Sequence, residues 1–156
     1  MFLQSNEHVG TYYAAVNPEL IQPRQALEGD LDCEVLVVGA GFAGLGLAIR
    51  LRQAGIDDYL VLEKAADVGG CWRENRYPGA ACDVPSHLYS FSFEPKADWS
   101  RKFAPQAEIL DYLRHCADKY RLREKIRFHC EVEEARFDAG SGEWQVRCAD
   151  GQTLRA

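Results

Sequence analysis

The chain has 156 residues, of which 47% are hydrophobic and 27% are charged, and its formal net charge is −6. This length and balance fit one globular domain, or one domain with a short arm, and exclude a disordered or fibrous chain. The acidic charge disfavours nucleic acid as a partner, because nucleic-acid-binding proteins use an excess of Lys and Arg to contact phosphates.

The beginning of the chain is predicted to be an arm. Residues 1–31 form this arm and residues 32–156 form the domain, with a break near Gly29 and Asp30. The first residues lack the basic and then apolar pattern of a secretory signal. The longest apolar stretch, residues 35–49, is too short for a membrane span and contains several glycines. We therefore expect a cytoplasmic protein with no membrane-spanning segment.

The six cysteines and four histidines show no metal-ligand spacing. No two cysteines form a CxxC pair, and several lie in apolar runs, which favours free buried thiols in a reducing compartment over disulfides or zinc. No metal site is predicted. The cysteines are Cys33, Cys71, Cys82, Cys116, Cys130 and Cys148.

The first elements after the arm predict a βαβ unit. Residues 33–38 are short, apolar and β-branched, as in a strand that is buried on both faces of a parallel sheet. Residues 42–53 predict a helix that stops at Gly55, and residues 58–62 predict a second, parallel strand. The crossover between the strands is expected to be right-handed. The helix residues expected to face the sheet are Leu45, Ala48, Ile49 and Leu51.

The remaining elements extend this α/β pattern. Residues 65–105 show no periodicity and contain many Gly, Pro and aromatic residues, which is typical of a functional loop. Residues 106–120 predict an amphipathic helix, and residues 125–129 a third parallel strand. The strands predicted after it are separated by turn sequences and form an antiparallel β-meander. They cover residues 131–137, residues 144–148, and the chain from residue 153 onward.

The strongest local motif is the GxGxxG sequence between the first strand and the first helix. Gly39 allows the tight turn out of the strand, Gly41 lets the backbone approach a diphosphate, and Gly44 allows close packing of helix and strand. The N-terminus of the helix then offers N–H groups and a partial positive charge to the diphosphate. The motif therefore predicts a dinucleotide site.

Two further features decide which dinucleotide is favoured. Glu63 ends the second strand about 20 residues after the glycine loop, where a carboxylate accepts ribose hydroxyls and repels a 2′-phosphate. This favours FAD or NAD over NADP. The second glycine pair, Gly69 and Gly70, with Trp72 close behind, favours FAD, because the flavin arm needs a backbone-lined channel. A small NAD-linked dehydrogenase is the disfavoured alternative.

Residues 69–93, which read GGCWRENRYPGAACDVPSHLYSFSF, resemble class B flavin monooxygenases and most closely the Baeyer–Villiger monooxygenases. The resemblance runs from about Cys33 to the end of the chain. It implies an enzyme that uses FAD, NADPH and O₂, and that forms a C4a-peroxyflavin to attack a ketone. An enzyme that oxygenates nitrogen or sulfur in its substrate is the nearest alternative.

The resemblance also assigns roles to individual residues. It implies that Asp83 lies beside the isoalloxazine as the catalytic candidate, that Tyr89 packs nearby, and that Val132 meets the adenine through its backbone. The residues implied at the FAD diphosphate are Gly39, Gly41, Phe42, Ala43 and Gly44. Glu63 is implied at the ribose, Lys64 is implied as a further cofactor-binding residue, and those along the flavin arm are Gly70, Cys71 and Trp72. Those implied to approach the nicotinamide are Ala81, Cys82 and Asp83.

The chain departs from the family pattern in three ways. Cys71 stands where Thr is common, and Arg73 and Glu74 stand where aromatic residues are common. The chain is also about a third of the usual length and carries no second glycine motif for NADPH. The expected fold is therefore α/β, a partial Rossmann-type FAD-binding domain with a β-meander and without the NADPH-binding half. A non-catalytic FAD-binding remnant is the alternative function for the chain alone.

Overall fold

The structure is a computed structural model that describes residues 31–156. The predicted arm lies outside the described residues, apart from Leu31, which pairs with Leu154. The strands are β1 (Leu31–Asp32), β2 (Val35–Val38), β3 (Tyr59–Glu63), β4 (Ile126–Phe128), β5 (Val132–Asp138), β6 (Glu143–Cys148) and β7 (Thr153–Arg155). The helices are α1 (Phe42–Gln53), α2 (Cys71–Glu74) and α3 (Gln106–Lys119), with 3₁₀ turns at Ser86–Leu88 and Arg123–Lys125.

A parallel three-stranded sheet, in the order β2-β3-β4, carries the first half of the domain. The predicted βαβ unit and the third parallel strand are thus confirmed. Helix α1 buries Leu45, Ala48 and Ile49 completely, whereas Leu51 is only partly buried at the edge of the same core. Gly55, with a positive φ of 78°, follows the end of this helix and allows the chain to turn back toward β3.

The second sheet has the order β1-β7-β6-β5. Strands β5, β6 and β7 are antiparallel neighbours, which confirms the predicted meander. Strand β1 adds to this sheet in parallel with β7, a pairing that the sequence pattern did not predict. A two-residue strand is too short to show any periodicity.

Helix α3 covers the parallel sheet with one apolar face. Its sequence indicates a face of Ile109, Leu110, Leu113, Ala117 and Tyr120; the first four are buried, Tyr120 is only partly buried just after the helix, and Tyr112 and Cys116 are buried as well. The hydroxyl of Tyr112 accepts a hydrogen bond from the N–H of Phe91 at 2.8 Å and donates one to the carbonyl oxygen of Glu94 at 2.7 Å. A buried tyrosine is tolerated here because its polar atom is paired.

Three apolar clusters hold the elements together. The largest lies between the parallel sheet and the helices, the second lies between the two sheets, and the third consists of Cys82, Ala104 and Ile109. Within residues 31–156, no helix is long and apolar enough to cross a membrane, and no group of three or more His, Cys, Asp or Glu side chains is placed to hold a metal ion. The buried members of the cluster between the two sheets are Leu62, Cys130, Val146, Cys148 and Leu154.

Candidate cofactor site at the paired glycine turns

The first glycine turn connects β2 to α1, and Gly39 and Gly44 have the geometry that the motif predicts there. Gly39 has a φ of +92°, and its N–H donates to the carbonyl oxygen of Leu62 at 2.7 Å, which anchors the turn to β3. A Cβ added to Gly44 would lie 1.8 Å from the carbonyl oxygen of Gly39. Only glycine at position 44 therefore lets α1 start so close to the turn.

The N-terminus of α1 begins directly at this turn. No side chain caps the helix at Gly41, and the first helical turn contains no acidic residue. The first N–H groups of an α-helix have no partners within the helix, and with the helix dipole they favour a bound phosphate. This end of the helix is therefore suited to an anion.

Glu63 lies at the end of β3 and is only 5% exposed. One of its carboxylate oxygens accepts a hydrogen bond from the N–H of Ala40 at 2.7 Å, and the other accepts one from the N–H of Ala65 at 2.8 Å. The carboxylate is thus turned toward the first glycine turn and away from bulk water. Each oxygen still has a second lone pair with which it can accept a hydroxyl.

The second glycine turn packs directly on the first. The N–H of Gly69 donates to the carbonyl oxygen of Ala40 at 2.9 Å. A Cβ added to Gly70 would lie 3.0 Å from the Cα of Gly41, so the two backbones meet with no side chain between them. Ala40 is therefore held on both sides, by Glu63 at its N–H and by Gly69 at its carbonyl. The sequence motif did not single out Ala40, because Ala40 makes both contacts with its own backbone atoms.

Three of the predicted site residues form one aromatic group. The Phe42 and Tyr89 rings lie edge to face with centroids 5.0 Å apart, and the Trp72 and Tyr89 rings do so at 5.6 Å. The indole N–H of Trp72 also donates to the hydroxyl oxygen of Tyr89 at 3.1 Å. The side chain of Gln106 donates to the carbonyl oxygen of Trp72 and so ties α2 to the start of α3. Gln106 was not predicted as part of the site.

The segment that carries Asp83 is fixed by its neighbours. The N–H of Cys82 donates to the carbonyl oxygen of Ala104 at 2.8 Å, and Ala81 forms a β-bridge with Pro105. Cys82 is buried, whereas Ala81 and Asp83 are exposed. No hydrogen bond or ion pair to the Asp83 side chain is found among residues 31–156. A rigid segment thus presents an accessible carboxylate.

The other predicted site residues lie around the same two turns. Ala43 and Cys71 are exposed at the beginnings of α1 and α2. Lys64 is exposed and pairs with Glu74 at 3.6 Å. Val132 opens β5, two residues after Cys130, whose N–H donates to the carbonyl oxygen of Glu63 at 2.9 Å. The chain that leads to Val132 is therefore anchored next to the predicted ribose residue.

Asp67 joins the loop between the two turns to the helical layer. Its carboxylate accepts hydrogen bonds from the side chains of Arg114, at 2.8 Å, and Arg123, at 2.9 Å, and from the N–H of Val68, at 2.8 Å. Burial alone would raise the pKa of Asp67, but these donors together hold it below the ordinary value. The sequence did not indicate these contacts, because Asp67 lies far from Arg114 and Arg123 along the chain.

Comparison with known proteins shows which proteins this chain resembles. A family profile described as an NAD(P)-binding Rossmann-like domain matches residues 37–105. The chain is 45% identical, over all of its length, to a Baeyer–Villiger monooxygenase of Pseudomonas aeruginosa. The chain is Baeyer–Villiger monooxygenase-like. It spans only 28% of the length of that relative.

Two further proteins support the same relationship. The chain is 42% identical to the FAD-binding monooxygenase ktnD of Aspergillus niger, over 74% of the chain and 19% of that protein. A solved structure of an oxidized steroid monooxygenase bound to NADP superposes with a TM-score of 0.75 and 46% identity, over 80% of the chain and 25% of that structure. The resemblance inferred from residues 69–93 is thus confirmed, and it corresponds to the N-terminal part of such enzymes.

Proposed function

We propose that this chain is the FAD-binding part of an NADPH- and O₂-dependent monooxygenase that inserts oxygen into ketones. The observation that carries the proposal is the double attachment of Ala40, by the Glu63 carboxylate on one side and by the Gly69 N–H on the other. This attachment joins two glycine turns and the end of β3 into one surface that is lined by backbone.

The residues of this surface suit FAD in three respects. The N-terminus of α1 offers donors to the diphosphate. Gly41 and Gly70 bring the two turns together with no side chain between them, and we infer that the cofactor lies against this backbone. The free lone pairs of Glu63 accept ribose hydroxyls. We infer that Lys64 and the backbone of Val132 lie toward the adenosine end, and that Cys71 and Trp72 lie along the flavin arm.

When bound, FAD would supply the redox chemistry, taking a hydride from NADPH and activating O₂. The chain's own contribution is to hold the cofactor, to exclude water from one side of it with the Phe42, Trp72 and Tyr89 rings, and to place a carboxylate nearby. We propose that the exposed Asp83 faces the flavin and holds a proton or a cationic group there, and that Ala81 and Cys82 lie toward the nicotinamide.

We also place the protein in the cytoplasm, where free thiols are stable.

Binding is tested by equilibrium dialysis of the chain against FAD and, separately, against FMN. The proposal expects FAD to bind at least tenfold more tightly, because FMN lacks the adenosine half that Glu63 would hold; this factor corresponds to about 1.4 kcal/mol. Equal affinities for FAD and FMN, or no flavin binding at all, would contradict it.

The reaction is tested by product analysis in the whole protein with NADPH, O₂ and cyclohexanone. A lactone is the expected product. Oxidation of amines or sulfides, with no lactone formed, would favour an N- or S-oxygenating enzyme instead.

A further inference from the structure

Two thiols that play no part in the proposed cofactor site lie against each other. The Sγ atoms of Cys130 and Cys148 are 3.1 Å apart, and these residues are 6% and 1% exposed. A disulfide has an S–S length of about 2.0 Å, so the sulfurs need to approach by roughly 1 Å to form a bond. Among the described residues no third ligand accompanies them, so the pair does not make a metal site.

The pair lies where the two sheets meet. Both residues belong to the apolar cluster between the parallel sheet and the meander. Cys130 follows β4 and is hydrogen-bonded through its N–H to the Glu63 carbonyl, whereas Cys148 ends β6 opposite Val132. A bond between the two sulfurs would therefore link the meander covalently to the chain segment next to the end of β3.

We propose that Cys130 and Cys148 are a disulfide-forming pair that a hydroperoxide oxidises. In the first step one sulfur, as its thiolate, attacks the peroxide oxygen, which yields a sulfenic acid and releases an alcohol or water. The second sulfur then displaces the sulfenic oxygen as water and forms the S–S bond. Overall, two thiols lose two protons and two electrons, and the hydroperoxide is reduced to an alcohol, or to water if it is H₂O₂, with one further water formed.

The surroundings of the pair set its reactivity. Burial, with the neighbouring Cys130 thiol and the charge of Asp150, raises the pKa of Cys148 to about 12, although Arg127 acts in the opposite direction. Cys148 is therefore a thiol at neutral pH, and the pair stays reduced until an oxidant reaches it. By contrast Cys71, which lies in the proposed flavin region, is exposed and is bonded to no other cysteine within residues 31–156.

The test is a peptide map of the chain before and after treatment with tert-butyl hydroperoxide. Free thiols are alkylated in denaturant, and the digest is analysed by mass spectrometry with and without reduction. The proposal expects one cross-linked peptide pair that contains Cys130 and Cys148 and is lighter by two hydrogens, together with a higher thermal midpoint of the oxidised chain. Addition of dithiothreitol should reverse both changes.

Matched variants keep this test specific. Cys148→Ser should abolish the cross-link. Cys116→Ser removes a buried thiol from the cluster between the parallel sheet and the helices, and it should leave the cross-link intact. If Cys71 is oxidised in the wild-type chain while Cys130 and Cys148 both remain open to alkylation in denaturant, the proposal is wrong. No step of this test depends on FAD binding, so its outcome is independent of the proposed function.

Discussion

Gly70 lies against Gly41 so closely that an added Cβ at position 70 would stand 3.0 Å from the Cα of Gly41. The two glycines belong to different turns, one before α1 and one before α2. Their contact, together with the positive φ of Gly70, explains why glycine is needed at position 70, and it aligns the two turns along one continuous backbone surface. The proposed diphosphate site and the proposed flavin arm meet at this contact.

The first prediction concerns Gly70→Ala. Gly70 has a φ of +53°, which alanine adopts at a cost, and its new methyl group would press on Gly41. We expect the two turns to separate and the affinity for FAD to fall at least tenfold, as measured by equilibrium dialysis. Gly79→Ala is the control, since Gly79 also has a positive φ but meets nothing within 4 Å. An equal loss of affinity in both variants would show that strain alone, and not the contact, is responsible.

The second prediction concerns Glu63→Gln. The amide has one oxygen and one NH₂ group, so it cannot accept hydrogen bonds from both the Ala40 and the Ala65 N–H groups as the carboxylate does. One buried donor loses its partner, and we expect the free energy of unfolding to fall by about 1–3 kcal/mol in chemical denaturation. FAD affinity should fall as well.

Glu131→Gln is the matched control for this change, because Glu131 is exposed. Its stability and FAD affinity should stay close to those of the wild-type chain. Wild-type stability in Glu63→Gln would mean that the two hydrogen bonds are not made.

The third prediction concerns pH and Asp67. Because the folded chain holds the pKa of Asp67 below its ordinary value of 3.8, this group stabilises the fold above that value. Its contribution is lost as the pH falls from about 4 through the lowered pKa. We therefore expect Asp67→Asn to reduce stability at neutral pH and to flatten the loss of stability in acid, as measured by thermal unfolding between pH 7 and pH 2.

Asp118→Asn separates the Asp67 network from a general loss of charge. Both carboxylates pair with Arg123, Asp118 at 2.5 Å and Asp67 at 2.9 Å. The side chain of Asp118 is 59% exposed, however, whereas that of Asp67 is 23% exposed. We expect a smaller effect on stability at neutral pH, because exposed ion pairs contribute little. If the two variants behaved alike, the anchoring role of Asp67 would be refuted.

The fourth prediction concerns the hydrogen bond between Trp72 and Tyr89. Tyr89→Phe keeps the ring that packs on Phe42 and on Trp72 but removes the acceptor of the indole N–H. The expected loss of stability is about 1 kcal/mol. A double-mutant cycle with Trp72→Phe measures the coupling directly, and additive effects of the two changes would rule out this interaction.

Much of the fold was predictable because it follows from local patterns. The buried strand β2, helix α1 and the glycines between them are adjacent in sequence, so their periodicity and steric roles defined the first turn. The position of Glu63 at the end of β3 was predictable for the same reason. Helix α2 was not, because its four residues are too few to show a helical period.

The contacts that complete the site could not be predicted, since they join distant residues or use the backbone. Asp67 and Arg123 are 56 positions apart, and Gln106 reaches the carbonyl of Trp72 from another helix. Ala40 makes its two contacts through its own N–H and carbonyl groups, which the residue type does not reveal. The Cys130 and Cys148 thiols were correctly expected to be buried, but their proximity follows from the way the two sheets pack.

The central claim is that the paired glycine turns hold FAD, and the most direct test is an FAD titration of Gly41→Ala beside the wild-type chain. A Cβ at position 41 would lie 3.5 Å from the Cα of Gly70, an ordinary contact, so the fold should persist while the approach of the diphosphate is blocked. The account predicts saturable FAD binding by the wild-type chain, the same binding by Gly140→Ala in the distant β5–β6 turn, and at least tenfold weaker binding by Gly41→Ala. Wild-type affinity in Gly41→Ala, with its circular dichroism spectrum unchanged, would contradict it.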